Sequence, residues 1–371
     1  MIKRLSLTAV TEIVNTSVRE QQAPARVEQQ ADAIEDRARL EKMLAKQLRN
    51  FVLLFSKVLA DEDADAVHDL RVCTRRLQQI LAGFGPIKSL NKGRAVRRTL
   101  RCVRRALGAW RNCDVALQWV ARSEKRSANP RRRRGWELVR QSIAAERKRA
   151  VNQARRRLFK SEGFALNQRA RQLVVLAAER LNGVNPGSVI KAAVDDAALK
   201  WRDALSLAMA DRSVRNIHAL RIQMKQLRYR VELARDLGAE EARPLIKWFK
   251  SLQDRLGRWH DRQELGHFIT RALASSEVLM QEPGVAVELL KEVEKDIAQS
   301  SREVEAFFKL AAEQAEGRAR LDDWLKAYSE PATASEPGSP AERTEPAPAE
   351  LAQEPAQQPP PTPQPSGEAD N

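Results

Sequence analysis

One block of sequence occurs twice in this chain, and the repetition limits the folds that the chain can adopt. The block from Val67 to Leu77 recurs from Ile217 to Leu227, 150 residues further along. In each copy a histidine is followed by cations three and seven positions later, a spacing that places all three on one face of an α-helix. These residues are His68, Arg71 and Arg75 in the first copy and His218, Arg221 and Lys225 in the second.

The apolar residues of both copies form a second stripe, which predicts a buried face opposite the cationic one. They are Val67, Leu70, Thr74 and Leu77 in the first copy and Ile217, Leu220, Met224 and Leu227 in the second. Another pair of similar blocks follows in the same order, Leu107–Asn112 and Leu256–Asp261, at an offset of 149 residues. Two matched pairs in order indicate an internal duplication.

The composition predicts an all-α fold. Ala, Leu, Arg, Glu and Gln are abundant and favour helices, and no run of alternating β-branched residues stands out. Helices are expected from residue 31 onwards, with breaks at Gly108 and Gly257 in the two matched blocks. The Asp residues at 61–65 are placed to cap the first repeated helix. Residues 1–30 stay unassigned, and Gln21–Pro24 is interpreted as a linker.

Turn residues divide the chain into two repeated halves and a tail. The turn at 182–187 separates a first half, residues 31–183, from a second half, residues 188–328. Residues 329–371 contain 11 of the 17 prolines and 8 acidic residues but only one arginine and no aromatic residue. Such a segment cannot bury enough apolar surface to offset its loss of entropy, so we expect a disordered acidic tail.

The positive charge is concentrated in one part of the chain. Residues 67–160 contain 27 Lys and Arg against 5 Asp and Glu, a local net charge of +22, whereas the whole chain carries +16. An excess of this size repels itself unless an anion neutralises it, so an anionic polymer is the first partner to consider. The three cysteines form no CxxC pair, and no secretory signal or membrane span is evident, so we expect a cytoplasmic protein.

The repeated helices resemble the paired motifs of the CHAD family, the conserved histidine α-helical domain. The similarity is carried by Val67-His68-x-Leu70-Arg71 and Ile217-His218-x-Leu220-Arg221, and by the two blocks that follow them. It extends over residues 31–328 and departs from the family pattern at Asn112 and His260. The resemblance implies two helical bundles related by a pseudo-twofold axis, with a basic surface or pore that binds inorganic polyphosphate. Some relatives carry a fused CYTH triphosphatase domain, which requires an acidic ExExK signature. No ExExK signature is present here, so the chain resembles the form of the family without that domain, the stand-alone form.

The candidate polyphosphate-binding residues are mainly the cations that recur in both halves. In the helix that follows each signature, Arg98 and Arg101 match Lys247 and Lys250. Arginine suits this role because its planar guanidinium can hold two phosphate oxygens at once. The full predicted set is His68, Arg71, Arg75, Arg76, Arg98, Arg101, Arg105, Arg111, His218, Arg221, Lys225, Arg228, Tyr229, Lys247 and Lys250.

Several alternatives remain open from the sequence. The two signature histidines either face the ligand or form hydrogen bonds within the bundle. Trp110 and Trp259 either pack in the core or stack on nucleobases, and the latter would favour non-specific RNA or DNA binding. No nucleophile with its base, phosphate-binding loop or zinc spacing is recognisable, so we expect a binding protein without metal or cofactor rather than an enzyme. Polyphosphate granules are its expected location, and no obligate protein partner is evident.

Overall fold

The repeated order of helices is visible throughout the structure. A computed structural model describes residues 7–180, 184–274, 281–313 and 315–329, and these residues are helical with short connections and contain no strand. The first half comprises α1 (Leu7–Ala60), α2 (Ala64–Gly83), α3 (Asn91–Ala106), α4 (Gly108–Arg126), α5 (Pro130–Phe159) and α6 (Leu166–Arg180). The second comprises α7 (Pro186–Ala210), α8 (Val214–Asp236), α9 (Arg243–Leu273), α10 (Pro283–Phe308) and α11 (Ala315–Ser329).

The two halves use the same helix pairs, which confirms the predicted all-α duplication. Helix α1 packs on α2 as α7 packs on α8, and α4 packs on α5 as α9 packs on α10. Asp63 caps α2, as the acidic turn predicted, because its Oδ1 accepts hydrogen bonds from the backbone N–H groups of Asp65 (2.8 Å) and Ala66 (3.2 Å). The predicted disordered tail, residues 329–371, lies outside the described residues apart from Ser329.

Two expectations about helix boundaries are wrong. The predicted linker at Gln21–Pro24 is part of α1, which begins at Leu7 and continues through Pro24 although a proline has no N–H to donate within a helix. The predicted break at Gly257 does not occur, because α9 runs without interruption from Arg243 to Leu273. Its counterpart in the first half does break, since Leu107 separates α3 from α4.

The apolar residues form two cores, and both halves contribute to each. The larger core contains the repeated apolar stripes of α2 and α8 together with residues of α1, α3, α6, α7 and α11. The smaller core, which we call the shared bundle, lies between the hairpin α4–α5 of the first half and the hairpin α9–α10 of the second. It is centred on Trp136, Ile143, Phe268 and Leu289, which are at most 3% exposed.

Ion pairs between the halves border the shared bundle. Arg132 Nη2 on α5 lies 3.0 Å from Glu288 Oε2 on α10, and Arg271 Nη1 on α9 lies 2.9 Å from Glu146 Oε2 on α5. Gly135 allows α5 to approach α10, because a Cβ at this position would lie 2.8 Å from Leu289 Cγ. The halves are therefore joined by close packing and by charge pairs.

Candidate functional site

The signature helices α2 and α8 are oriented by their apolar stripes. All eight stripe residues are buried: Val67, Leu70, Thr74, Leu77, Leu220, Met224 and Leu227 are 0% exposed, and Ile217 is 3% exposed. This outcome confirms the predicted periodicity. Since the cationic positions lie on another side of each helix, burial of the stripes turns those side chains towards a space between the halves.

This space is a cleft of about 490 Å³, which we call the central cleft. Helices α2, α4, α8 and α9 all contribute to its lining. Its polar and charged lining consists of His68, Arg71, Arg75, Arg111, Asn112, Arg221, Lys225, Gln253, Asp254, Arg258, His260, Asp261 and Glu264. The central cleft therefore brings together six of the predicted site residues, three from α2, one from α4 and two from α8.

Arg71 is fixed by the break between α3 and α4. Its Nη1 donates a hydrogen bond of 2.7 Å to the carbonyl oxygen of Arg104, in the last turn of α3. The guanidinium passes beside Gly108, where an added Cβ would lie 3.6 Å from Nη1. Burial, followed by the charges of Arg75 and Arg104, lowers the pKa of Arg71. One edge of this guanidinium is thus held by backbone while the residue lines the central cleft.

Several cationic groups in the central cleft lack an acceptor in the described part of the chain. Arg111 Nη1 and Arg221 Nε are buried without a hydrogen-bond partner. Arg75 and Lys225 likewise form no hydrogen bond or ion pair with the described residues. Leaving one buried donor unsatisfied costs about 1–3 kcal/mol, more if it is charged. A ligand that supplies several anionic oxygens would remove this cost.

Lys225 is the most strongly perturbed amine of the central cleft. Burial, followed by the positive charges of Arg221 and Arg75, lowers its pKa to about 7. Asp261 on α9 acts in the opposite direction without cancelling the effect. The amine therefore lies in an environment that is short of negative charge.

The sequence did not predict the acidic side of the central cleft. Asp254, Asp261 and Glu264 all line it from α9. The predicted break at Gly257 would have placed the block Leu256–Asp261 at a helix end, but the block lies inside the continuous helix α9. Asn112 Nδ2 on α4 donates a 2.7 Å hydrogen bond to Glu264 Oε2. Positions 254, 261 and 264 share a helix face, which is the pattern that could have revealed them.

The signature histidines are exposed rather than part of the core. His68 lines the central cleft, and the ring of His218 lies 5.8 Å from that of His260. Burial lowers the pKa of His68, with a further contribution from Arg111, and burial and Arg221 have the same effect on His218. Burial lowers the pKa of His260 to about 3. Neither the His68 ring nor the His218 ring forms a hydrogen bond with the described residues, which weighs against the alternative of hydrogen bonds within the bundle.

The remaining predicted residues lie outside the central cleft, in two other places. Arg76 and Tyr229 line a second depression of about 830 Å³ between α1, α2 and the end of α8, which we call the outer groove. Arg228 Nη1 is 2.9 Å from Glu232 Oε1, and its guanidinium lies over the ring of Tyr229 at 4.8 Å. The other five predicted residues are exposed on the surface, Arg98, Arg101 and Arg105 on α3 and Lys247 and Lys250 on α9.

The structure also bears on the two tryptophans, on metal binding and on membrane insertion. Trp110 is 0% exposed and Trp259 is 3% exposed, so both pack in the core as the first of the two alternatives held. Among the described residues no group of three or more His, Cys, Asp or Glu side chains is arranged to hold a metal ion. In the same residues, no helix has the length and apolar character needed to cross a membrane.

Comparison with known proteins identifies the family. A sequence model of the CHAD domain matches residues 42–270. The structure is similar to the crystal structure of the CHAD domain from the plant Ricinus communis, with a TM-score of 0.54 and 20% identity over 78% of this chain and 91% of that one. PptA from Streptomyces chartreusis gives a TM-score of 0.48 and 17% identity over 78% of this chain and 99% of that one. No curated protein sequence matches this chain.

Proposed function

Because this chain belongs to the CHAD domain family, which is linked to polyphosphate binding in general, we propose that it binds inorganic polyphosphate in the central cleft. The observation that supports this proposal best is the set of cations without acceptors: Arg75, Arg111, Arg221 and Lys225. A polyphosphate chain offers closely spaced anionic oxygens along its whole length. It can therefore satisfy donors from three helices at once, which a single small anion cannot.

The distribution of charge in the central cleft favours a polyanion that follows its cationic residues. Arg258 is already neutralised, since its Nε lies 2.9 Å from Glu303 Oε1 on α10. The carboxylates of Asp254, Asp261 and Glu264 lie on the α9 side, so the attractive surface is the α2 and α8 side together with Arg111. A bound chain would therefore follow the cationic faces of the two signature helices and avoid α9.

We propose that the protein binds polyphosphate without cleaving it. The residues that line the central cleft include no Ser, Thr, Cys or Tyr side chain, and the carboxylates of the cleft lie on α9, away from the cationic faces that the polymer would follow. The three cysteines are free, and burial raises the pKa of Cys73 to about 12 and that of Cys113 to about 11. A turnover assay with divalent metal ions should therefore show no release of phosphate. Sustained release above the background rate would contradict this part of the proposal.

Nucleic acid is the alternative partner, and one observation weighs against it. The expected stacking on nucleobases depended on Trp110 and Trp259, and both indole rings are buried. Polyphosphate should therefore displace single-stranded RNA at a much lower phosphate concentration than RNA displaces polyphosphate. Equal displacement in both directions would instead indicate a general polyanion binder. We further propose that the protein attaches to polyphosphate granules in the cytoplasm, and imaging of a fluorescent fusion tests this.

The decisive variant removes two cleft cations that make no hydrogen bond to the described residues through their terminal nitrogens. We expect Arg75→Gln with Arg221→Gln to weaken polyphosphate binding by at least about tenfold. The slope of log affinity against log salt concentration should fall by about two, because two phosphate contacts are lost. The matched control, Lys42→Gln with Lys148→Gln, removes the same charge from exposed positions outside the central cleft. If both double variants bind equally well, the cleft is not the site. Thermal melts would establish that both are folded.

A further inference from the structure

The two halves differ in charge at one pair of equivalent helices. Residues 91–106, which form α3, contain seven Lys and Arg and no acidic residue. The equivalent residues 240–255, at the offset of 149, contain four Lys and Arg and three acidic residues. The net charge is therefore +7 on the first-half helix and +1 on its counterpart. The duplication preserved the fold here, but not the charge.

The cations of α3 lie on the face turned away from the core. Helix α3 buries Val96, Leu100 and Val103 and packs against α2, α5 and α6. Its other side carries a strip of cations that form no hydrogen bond or ion pair with the described residues. We call this strip the cationic ridge, and it consists of Arg97, Arg98, Arg101 and Arg105. Like charges at this spacing repel each other unless an anion lies along them.

The equivalent face of the second half carries fewer cations. The positions that match Arg97, Arg98, Arg101 and Arg105 are Ile246, Lys247, Lys250 and Asp254, so four cations are replaced by two cations and one carboxylate. Lys247 and Lys250 are exposed without an ion pair to the described residues, but Asp254 follows them at the edge of the central cleft. A polyanion that leaves the cleft along this face would therefore pass a carboxylate.

The cationic ridge meets the central cleft at Arg104. The carbonyl oxygen of Arg104 accepts the hydrogen bond from Arg71. The Nη1 of Arg104 donates a hydrogen bond of 3.1 Å to Gln78 Oε1 on α2. Burial lowers the pKa of Arg104, and the next contributions come from Arg75 in the cleft and Arg101 on the ridge. Burial, followed by the charge of Arg101, likewise lowers the pKa of Arg97. Arg104, Arg101 and Arg97 follow one another at intervals of three and four residues, so the cations occupy successive turns of α3, a helix about 24 Å long, and the series begins at the cleft.

We propose that the cationic ridge extends the central cleft on one side only, so that the protein selects long polyphosphate chains over short ones. This inference rests on the proposed function and adds a length preference to it. A short oligophosphate fills the cleft and contacts only the cleft cations, which include Arg75, Arg111, Arg221 and Lys225. A long chain continues past Arg104 and gains the ridge arginines, each of which releases counterions and strengthens the dependence on salt.

The pseudo-symmetry supplies a matched control for this inference. The test variant is Arg98→Gln with Arg101→Gln, and the control is Lys247→Gln with Lys250→Gln at the equivalent positions of α9. Each removes two exposed positive charges from the same face of an equivalent helix. Binding of tripolyphosphate and of long-chain polyphosphate would be measured for both variants and the parent across a salt series, with circular dichroism as a check on folding.

We expect the ridge variant to bind long-chain polyphosphate about five- to tenfold more weakly, with a salt slope reduced by about one to two, and to bind tripolyphosphate as the parent does. The control should stay within about twofold of the parent for both ligands. Equal losses in the two variants, or an equal loss of tripolyphosphate binding in the ridge variant, would overturn the one-sided extension. If the parent binds neither ligand, the proposed function itself fails, and this result is distinct from the others.

Discussion

Binding of a polyanion in the central cleft should be accompanied by uptake of a proton at Lys225. The charged groups that face this amine are Arg221 and Arg228 on its own helix, Arg75 on α2 and Asp261 on α9. Burial and then the three cations lower its pKa from an ordinary value of 10.5 to about 7, and the carboxylate of Asp261 opposes this shift without cancelling it. A phosphate chain beside the amine adds negative charge where the site lacks it, and this raises the pKa.

The size of the effect follows from these two values. With a pKa of about 7, about one-tenth of the free protein carries the proton at pH 8, and about nine-tenths carries it at pH 6. If the bound ligand restores the ordinary pKa, binding takes up about 0.9 proton at pH 8 but only about 0.1 at pH 6. The affinity should therefore fall about tenfold between pH 6 and pH 8, which corresponds to about 1.4 kcal/mol.

Isothermal titration calorimetry measures this proton uptake directly. Titrations at pH 8 in buffers with different ionisation enthalpies give the number of protons bound per ligand. Lys225→Arg is the informative variant, because an arginine in the same place stays charged and should bind without taking up the proton. His68 and His218 have lowered pKa values, so neither contributes appreciably at this pH. If the arginine variant takes up as many protons as the parent, the proton binds elsewhere and the reasoning is refuted.

The same amine should affect the stability of the unliganded protein. The pKa of Lys225 is lower in the folded chain than its ordinary 10.5, so between about pH 7 and 10.5 the unfolded chain binds more protons. This contribution to stability therefore increases with pH across that window, and it is least favourable below it. Lys225→Met should stabilise the free protein more at pH 7 than at pH 9 while weakening polyphosphate binding. Denaturant titrations at both pH values would show this, and a pH-independent difference would contradict it.

Two further predictions concern the fold. An added Cβ at Gly93 would lie 1.9 Å from the carbonyl oxygen of Ile87, so Gly93→Ala should lower the free energy of unfolding by at least about 2 kcal/mol, whereas Gly266→Ala, with open space around it, should raise it by about 0.5–1 kcal/mol. Urea titrations of both variants test this, and similar midpoints would contradict it. Asp114→Asn should cost about 1–3 kcal/mol because the buried carboxylate accepts a 2.7 Å hydrogen bond from Arg147 Nε, and an unchanged thermal midpoint would show that this pair contributes nothing.

The parts of the structure that follow from local periodicity were predictable. The stripes of α2 and α8 repeat at helical spacing, and burying them fixes where the opposite faces point. For this reason His68, Arg71, Arg75, Arg221 and Lys225 could be placed together from the sequence, and the cleft contains all five. The apolar stripe of each helix is therefore enough to predict which of its faces is buried.

The sequence could not show which of the two matched glycines breaks its helix, because the break depends on a tertiary contact. Both blocks contain a leucine followed by a glycine, Gly108 and Gly257, and the local sequence predicts the same turn in each. In the first half Arg71 donates a hydrogen bond to the carbonyl oxygen of Arg104, and α3 ends two residues later. In the second half the equivalent Arg221 has an unpartnered Nε, and α9 continues. The break occurs where the arginine binds backbone.

The division of the predicted site into three places also depends on packing. Arg75 and Arg76 are adjacent in sequence but point about 100° apart around α2. Helix α1 packs against α2, and together with the end of α8 it makes a separate outer groove around Arg76 and Tyr229. The sequence identifies these as cationic or aromatic helix positions, but only the neighbouring helices determine which depression each one lines.

The shared bundle has a consequence for synthesis of the chain on the ribosome. Ile143 on α5 and Leu289 on α10 belong to the same buried cluster, and they lie 146 positions apart in the sequence. At about 5–20 residues per second, translation of this interval takes about 7–30 s. During that time the hairpin α4–α5 exists while its covering hairpin does not, so the face that carries Trp136 and Val139 stays open to other chains. Protection of the nascent chain, for example by a ribosome-associated chaperone, should therefore matter most in this interval.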